Sequence, residues 1–117
     1  MTATDKLLMW LYLALALIAL YATWSHNLEF LALPGHGGGV RGFIELAYAN
    51  PAAGSMSNDI VAASAAGFVF MLAEARRLKI RYVWVYIVLS AAVAFSAMFA
   101  LFLAARQMKL AAARQAG

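Results

Sequence analysis

The chain has no cysteine, which excludes disulfides, thiolate metal sites and a cysteine nucleophile and leaves the redox compartment unmarked. Charge is scarce. Asp, Glu, Lys and Arg make up 12% of the residues, about half the roughly 25% of ordinary soluble domains. The long stretches between charges carry no ionisable residue at mid-length, so a proton relay or ion path within one chain lacks its usual groups. No nucleophile motif supports enzymatic acid–base chemistry. His26 and His36 are the only imidazoles, and no paired histidines suggest a haem. The glycines at 35 and 37–39 resemble a phosphate loop only superficially, since neither a preceding strand nor a Gly-Lys-Ser/Thr ending accompanies them. The sequence indicates no cofactor.

What the chain has in abundance is apolar length. Hydrophobic residues fill 66% of its 117 positions, in tracts of about 18 or more residues that match membrane-crossing helices rather than a soluble core. The net charge of +4 comes from cations flanking these tracts, a pattern of membrane anchoring and not of nucleic-acid binding. The organising stretch is Glu74-Ala75-Arg76-Arg77-Leu78-Lys79-Ile80-Arg81. Its four cations, Arg76, Arg77, Lys79 and Arg81, cannot lie in hydrocarbon. The chain therefore meets a membrane surface here, and the apolar runs on both sides leave from that surface.

The expected fold is an all-α membrane protein, a single membrane domain with three transmembrane helices and a short interfacial helix in the first loop. The spans fall at about residues 7–25, 58–76 and 81–104. Thr4 or Asp5 is expected to cap the first, and Trp10, Tyr12, Tyr21 and Trp24 put amphipathic rings near both its ends. The region before residue 26 lacks a clean small-x-small cleavage site, so this span is expected to be retained rather than removed as a signal peptide. The outer loop, residues 26–57, contains a flexible Gly-rich turn and then a helix at about 40–49. There Arg41 and Glu45 share one side, and Phe43, Ile44 and Ala47 the other. Asn50-Pro51 ends that helix. Ser57 or Asn58 is the expected cap of the second span, with Asp59 in its first turn.

Small residues at helical spacing mark a packing face on each span: Ala16 and Ala19 on the first, Ala63 and Gly67 on the second, Ser90 and Ala94 on the third. Val61, Phe68 and Leu72 are expected to face lipid. A basic tail, residues 105–117, follows. Lys6 and the basic turn lie on one side of this arrangement, and Arg41, Arg106, Lys109 and Arg114 on the other. The dense short cluster decides the orientation, with the N-terminus in the cytoplasm and the C-terminus outside. Glu74 and Arg77, three residues apart at a helix end, are placed to form an ion pair.

Three spans so arranged gather His26, Asn27, Asn50, Asp59 and Arg106 at the outer surface. One reading is a ligand or ion site centred on Asp59 and His26. The other is a set of caps and interhelical pairs, such as Asp59–Arg106 or Asp59–His26, that hold the helices together.

The order Trp24-Ser25-His26-Asn27, then Asn50-Pro51-Ala52-Ala53 with Ser57-Asn58-Asp59, then Glu74-Ala75-Arg76-Arg77-Leu78, resembles a family of small bacterial integral membrane proteins catalogued only as a domain of unknown function. The resemblance runs over roughly Leu7 to Phe102. It implies three spans in a bacterial inner membrane and supplies no activity, cofactor or catalytic residue. The expected function is a non-enzymatic accessory or structural subunit, surrounded by membrane lipids and packed on a protein partner or on copies of itself. The alternatives are a binding protein for a lipid, quinone, pigment or ion at the outer site, an oligomeric small transporter, and an enzyme using Asp59 or His26 on a lipid-like substrate.

Overall fold

A computed structural model describes residues 1–116; the last residue of the expected tail, Gly117, lies outside them. The described residues form α1 (Ala3–Leu31), a 3-10 turn (Pro34–Gly38), α2 (Gly39–Ala47), α3 (Pro51–Leu78), α4 (Val83–Ala92) and α5 (Phe95–Ala116), with no strand. α1, α3 and α5 are long and apolar enough to cross a membrane. The ten residues of α4 rise only about 15 Å, half of a hydrocarbon core of about 30 Å.

Local chemistry sets the helix starts. Thr2, rather than Thr4 or Asp5, caps α1: its hydroxyl accepts from the Asp5 N–H at 3.1 Å, and the Asp5 carboxylate accepts from the Thr2 N–H at 2.9 Å. This reciprocal box satisfies two N–H groups that the helix leaves open. Asn50 caps α3 through the Ala53 N–H at 2.8 Å, with Pro51 in the first turn, where its missing N–H costs nothing. The second span thus begins well before Ser57 and Asn58. Those two residues tie α2 to α3 instead: the Ser57 hydroxyl donates to the Ala47 carbonyl at 2.7 Å, and the Tyr48 hydroxyl donates to Asn58 at 2.9 Å.

The largest departure from expectation is in the third apolar run. Residues 81–104 do not form one helix. The chain reverses at Val93-Ala94, so that α4 and α5 make a helical hairpin and the third long helix runs from Phe95 through the basic tail. α1 packs principally on α5, and the pairing is pinned at both ends. Gln107 and Arg114 both donate to Asp5 at one end, and the Trp24 indole N–H donates to the Val93 carbonyl at 2.9 Å at the other. α1 and α5 are therefore antiparallel. Glu74 meets Arg106 and Phe70 meets Phe102, so α3 runs parallel to α5. Consequently the N-terminus, the C-terminal residues of α5 and the basic turn share one end of the bundle, which corrects the expectation that the termini lie on opposite sides. The reason is the extra reversal, which sends Arg106, Lys109 and Arg114 back toward Lys6.

The core lies at that end and along the α1–α5 seam. Met71, Ala75, Ile80 and Phe102 form one buried cluster, with Phe68, Tyr86, Phe95 and Phe99 against it. Ala94, Ala97 and Met98 form a second, against Ala19. Ala16 and Ser90 are also buried. The face of α3 that is actually covered is Gly67, Met71 and Ala75, a row at four-residue spacing. Ala63, expected on that face, is exposed, because α5 approaches α3 only from Gly67 onward. Phe68, expected to face lipid, packs edge-to-face on Phe95 at 5.8 Å.

A Cβ at Gly67 would stand 2.5 Å from a Phe95 ring carbon. Gly67→Ala should therefore cost about 1–3 kcal/mol through overpacking, whereas Ala63→Leu should stay within about 0.5 kcal/mol as an exposed change. Thermal unfolding of both variants in one detergent checks this, and equal losses would contradict the packing described.

Candidate functional site

Two polar regions stand at opposite ends of the bundle, and they differ in how far their groups are satisfied. At the basic end, Lys6, Arg76, Arg77, Lys79, Arg81, Arg106, Lys109 and Arg114 gather, leaving Arg41 alone among the nine cations at the other. The two carboxylates of this end are fully engaged. Glu74 accepts two bonds from Arg77, both at 2.8 Å, and one from Arg106 at 2.5 Å. Arg106 also lies over the Phe70 ring, 5.4 Å from its centre, a cation–π contact that orients the guanidinium. Arg106 thus belongs to this network and not to the outer cluster in which the sequence placed it; the reversal at Val93-Ala94 is again the cause.

Asp5 is the most buried charged residue, 1% exposed. It accepts from Gln107 at 2.7 Å, from Arg114 and from the Thr2 backbone. Sequence reading missed this clasp, since nothing local links a residue at 5 to one at 114. The surplus of cations in the tail was the available signal: a basic segment on the outer side disagrees with the usual charge asymmetry.

At the far end the expected cluster is dispersed. His26 faces Glu29 at 3.6 Å, with both side chains exposed. Asn50 serves as the α3 cap. Asp59 is exposed and has no ion pair among the described residues. Neither Asp59–Arg106 nor Asp59–His26 forms. Among the described residues, no three His, Asp or Glu side chains come close enough together to hold a metal ion. Asn27 instead lines a cavity of about 290 Å³ bounded by the end of α1, by α2 and by Ala92 at the end of α4.

The Gly-rich turn packs on Phe30 beside this cavity, and of its glycines only Gly39 contributes to the lining. Gly35, His36, Gly37 and Gly38 all have positive φ, and the His36 ring is held to the Leu31 carbonyl at 3.0 Å. A Cβ at Gly37 would run into the Phe30 ring, and one at Gly42 into the Gly37 carbonyl, so the turn packs on Phe30 in this way only with glycine at both positions. Below it Phe43 packs edge-on to Phe30 at 5.3 Å, while Arg41 and Glu45 pair at 3.0 Å on the outer side of α2.

The family described as Protein of unknown function DUF2834 matches residues 11–108. The chain belongs to this family. No curated protein and no solved structure matches it. The segment matched by DUF2834 includes the Glu74 network, the Trp24–Val93 bond and the Gly-rich turn, and stops short of both Asp5 and Arg114.

The Glu74 network divides unequally between its two guanidiniums. The side chain of Arg106 is 25% exposed and that of Arg77 is 55% exposed. A double-mutant cycle should therefore give about 1–3 kcal/mol for Glu74–Arg106 and under about 1 kcal/mol for Glu74–Arg77. Unfolding of Glu74→Gln, Arg106→Gln, Arg77→Gln and the two pairs measures both couplings. Equal couplings would show that Arg106 is no more than a surface partner.

Proposed function

We propose that this chain is a non-enzymatic integral membrane subunit that packs α3 against a protein partner or a second copy of itself. The observation that carries this reading is the first half of α3. From Pro51 to Ala66 it contains no buried residue, although it holds Ser55, Asn58, Asp59, Ala62 and Ala66 on one side at three- and four-residue spacing. Small residues let a second helix come close, and they give little to lipid. An unpaired carboxylate facing acyl chains is costly, whereas one facing a polar partner helix is not. The same chemistry disfavours a lone chain in lipid.

The setting we propose is a bacterial inner membrane. The resemblance noted from sequence favours it, and the charge asymmetry supplies the orientation. Eight of nine cations stand at the end that carries both termini, and the positive-inside preference puts that end in the cytoplasm. The α2 helix and the start of α3 then face the outside. The absence of cysteine makes this directly testable. In intact cells, an impermeant maleimide should label Glu45→Cys, on the exposed outer side of α2, and leave Gln115→Cys unlabelled until the membrane is broken. Labelling of Gln115→Cys in intact cells would restore an odd number of crossings.

The subunit reading is tested by mild-detergent purification from the native membrane, with mass spectrometry and an absorption spectrum of the same sample. A stoichiometric partner, or a stable oligomer lost on Ala62→Leu with Ala66→Leu, is the expected result. A monomer with no partner would overturn it. A colourless oligomer indifferent to α3 substitutions would favour a transporter built through another face.

A further inference from the structure

The cavity between the end of α1 and α2 has a lining whose chemistry is selective. Its walls are Trp24, Phe30, Leu31, Val40 and Phe43, and the one polar side chain among its lining residues is Asn27. The Trp24 N–H is committed to the Val93 carbonyl, so the indole offers the cavity only apolar surface. The Asn27 amide makes no hydrogen bond to another protein group among the described residues, which leaves its donors and its acceptor free for a guest. No charged side chain lines the space. Arg41 is turned outward, its side chain 90% exposed and paired with Glu45.

These features sort the candidate guests. A phosphate or carboxylate head would be desolvated here with no counter-charge, which is expensive. A purely hydrocarbon guest would leave the amide unused. A flat, neutral ring bearing a carbonyl satisfies both demands, because three aromatic side chains can stack on it while Asn27 donates to the oxygen. The volume of about 290 Å³ is at the small end of ligand pockets and suits one substituted ring rather than a macrocycle.

Depth agrees. Asn27 lies 21 residues along α1 from Lys6, a rise of about 31 Å, so it stands at the polar boundary of the bilayer opposite the basic end. A ring with a long tail would sit there with its tail in hydrocarbon.

We propose that the pocket formed by Trp24, Asn27, Phe30 and Phe43 binds the ring of a quinone-type lipid, with the Asn27 side-chain amide donating to a ring carbonyl. This stands independently of the subunit reading, since the pocket lies away from the exposed half of α3.

The test uses the full chain in nanodiscs of zwitterionic phospholipid, with Trp10→Phe and Trp84→Phe so that Trp24 is the single indole. A short-tailed benzoquinone is titrated and the indole fluorescence followed. Saturable quenching is expected, with half-saturation about tenfold weaker in Asn27→Ala from loss of one hydrogen bond. On the unaltered binding residues, the dimethoxybenzene analogue of the same tail, which has no carbonyl, should fail to displace the quinone. Quenching that rises linearly and equally with and without Asn27 would mean simple partition into lipid and overturn the proposal. Displacement by the analogue at equal concentration would also overturn it, by removing the role of the carbonyl, and does not depend on how any Asn27 variant folds.

Discussion

The rest of the structure depends on the antiparallel pairing of α1 with α5. It is fixed at one end by Asp5, held by Gln107 and Arg114, and at the other by Trp24 on the Val93 carbonyl. Between these points Ala16 and Ala19 on α1 face Ala97, Ala100, Ala104 and their neighbours on α5, and the small side chains let the backbones close up. Once α5 lies antiparallel to α1, α4 must run back beside it, and α3 can reach the bundle only along the remaining side of α5. The position of the Glu74 network and the shared end for both termini follow from that one choice.

The reversal that permits it is unusual for lying within an apolar run. Turns in lipid are difficult because every freed N–H and C=O needs a partner and no water is at hand. Here the last carbonyl of the α4 turn takes the indole N–H of Trp24, and the Val93 N–H and Met98 N–H return to Leu89 and Ala94 at 2.7 and 3.1 Å. Trp24 therefore does two things: its ring helps line the cavity shared with Ala92, and its N–H meets the Val93 carbonyl of a turn distant in sequence. An aromatic without a donor could do only the first.

The same facts explain what the sequence did and did not disclose. Composition alone indicates long apolar helices, and the pattern Arg41–Glu45 against Phe43 and Ile44 marks α2 within a residue or two of its ends. The proximity of Glu74 and Arg77 also follows from their spacing. The turn at Val93-Ala94 does not, since Ser90-Ala91-Ala92-Val93-Ala94-Phe95 holds no glycine, proline or charge, the residues that ordinarily punctuate a chain. Its cause is a contact 69 residues away, which no window can contain. With that turn missed, Arg106 was carried to the wrong end, and the set of His26, Asn27, Asn50, Asp59 and Arg106 was built around a neighbour it does not have. Asn50 was visible as a helix-breaking position but not as the α3 cap, because the cap is recognised only once the helix is known to begin at Pro51.

The two ends of the bundle now divide their roles on physical grounds. At the basic end both carboxylates have guanidinium partners, and Asp5 accepts from the Thr2 backbone and the Gln107 amide as well, so these charges are committed to holding helices together. At the other end the side chains that matter are unspent: Asp59 has no ion pair and Asn27 no hydrogen bond among the described residues, yet both stand beside apolar surface. A fold keeps polar groups in that state only at a cost, and the turn packed on Phe30 is built with glycines that leave no room for a Cβ at Gly37 or Gly42. The far end, rather than the richly charged one, is therefore where a guest or a partner would complete the molecule.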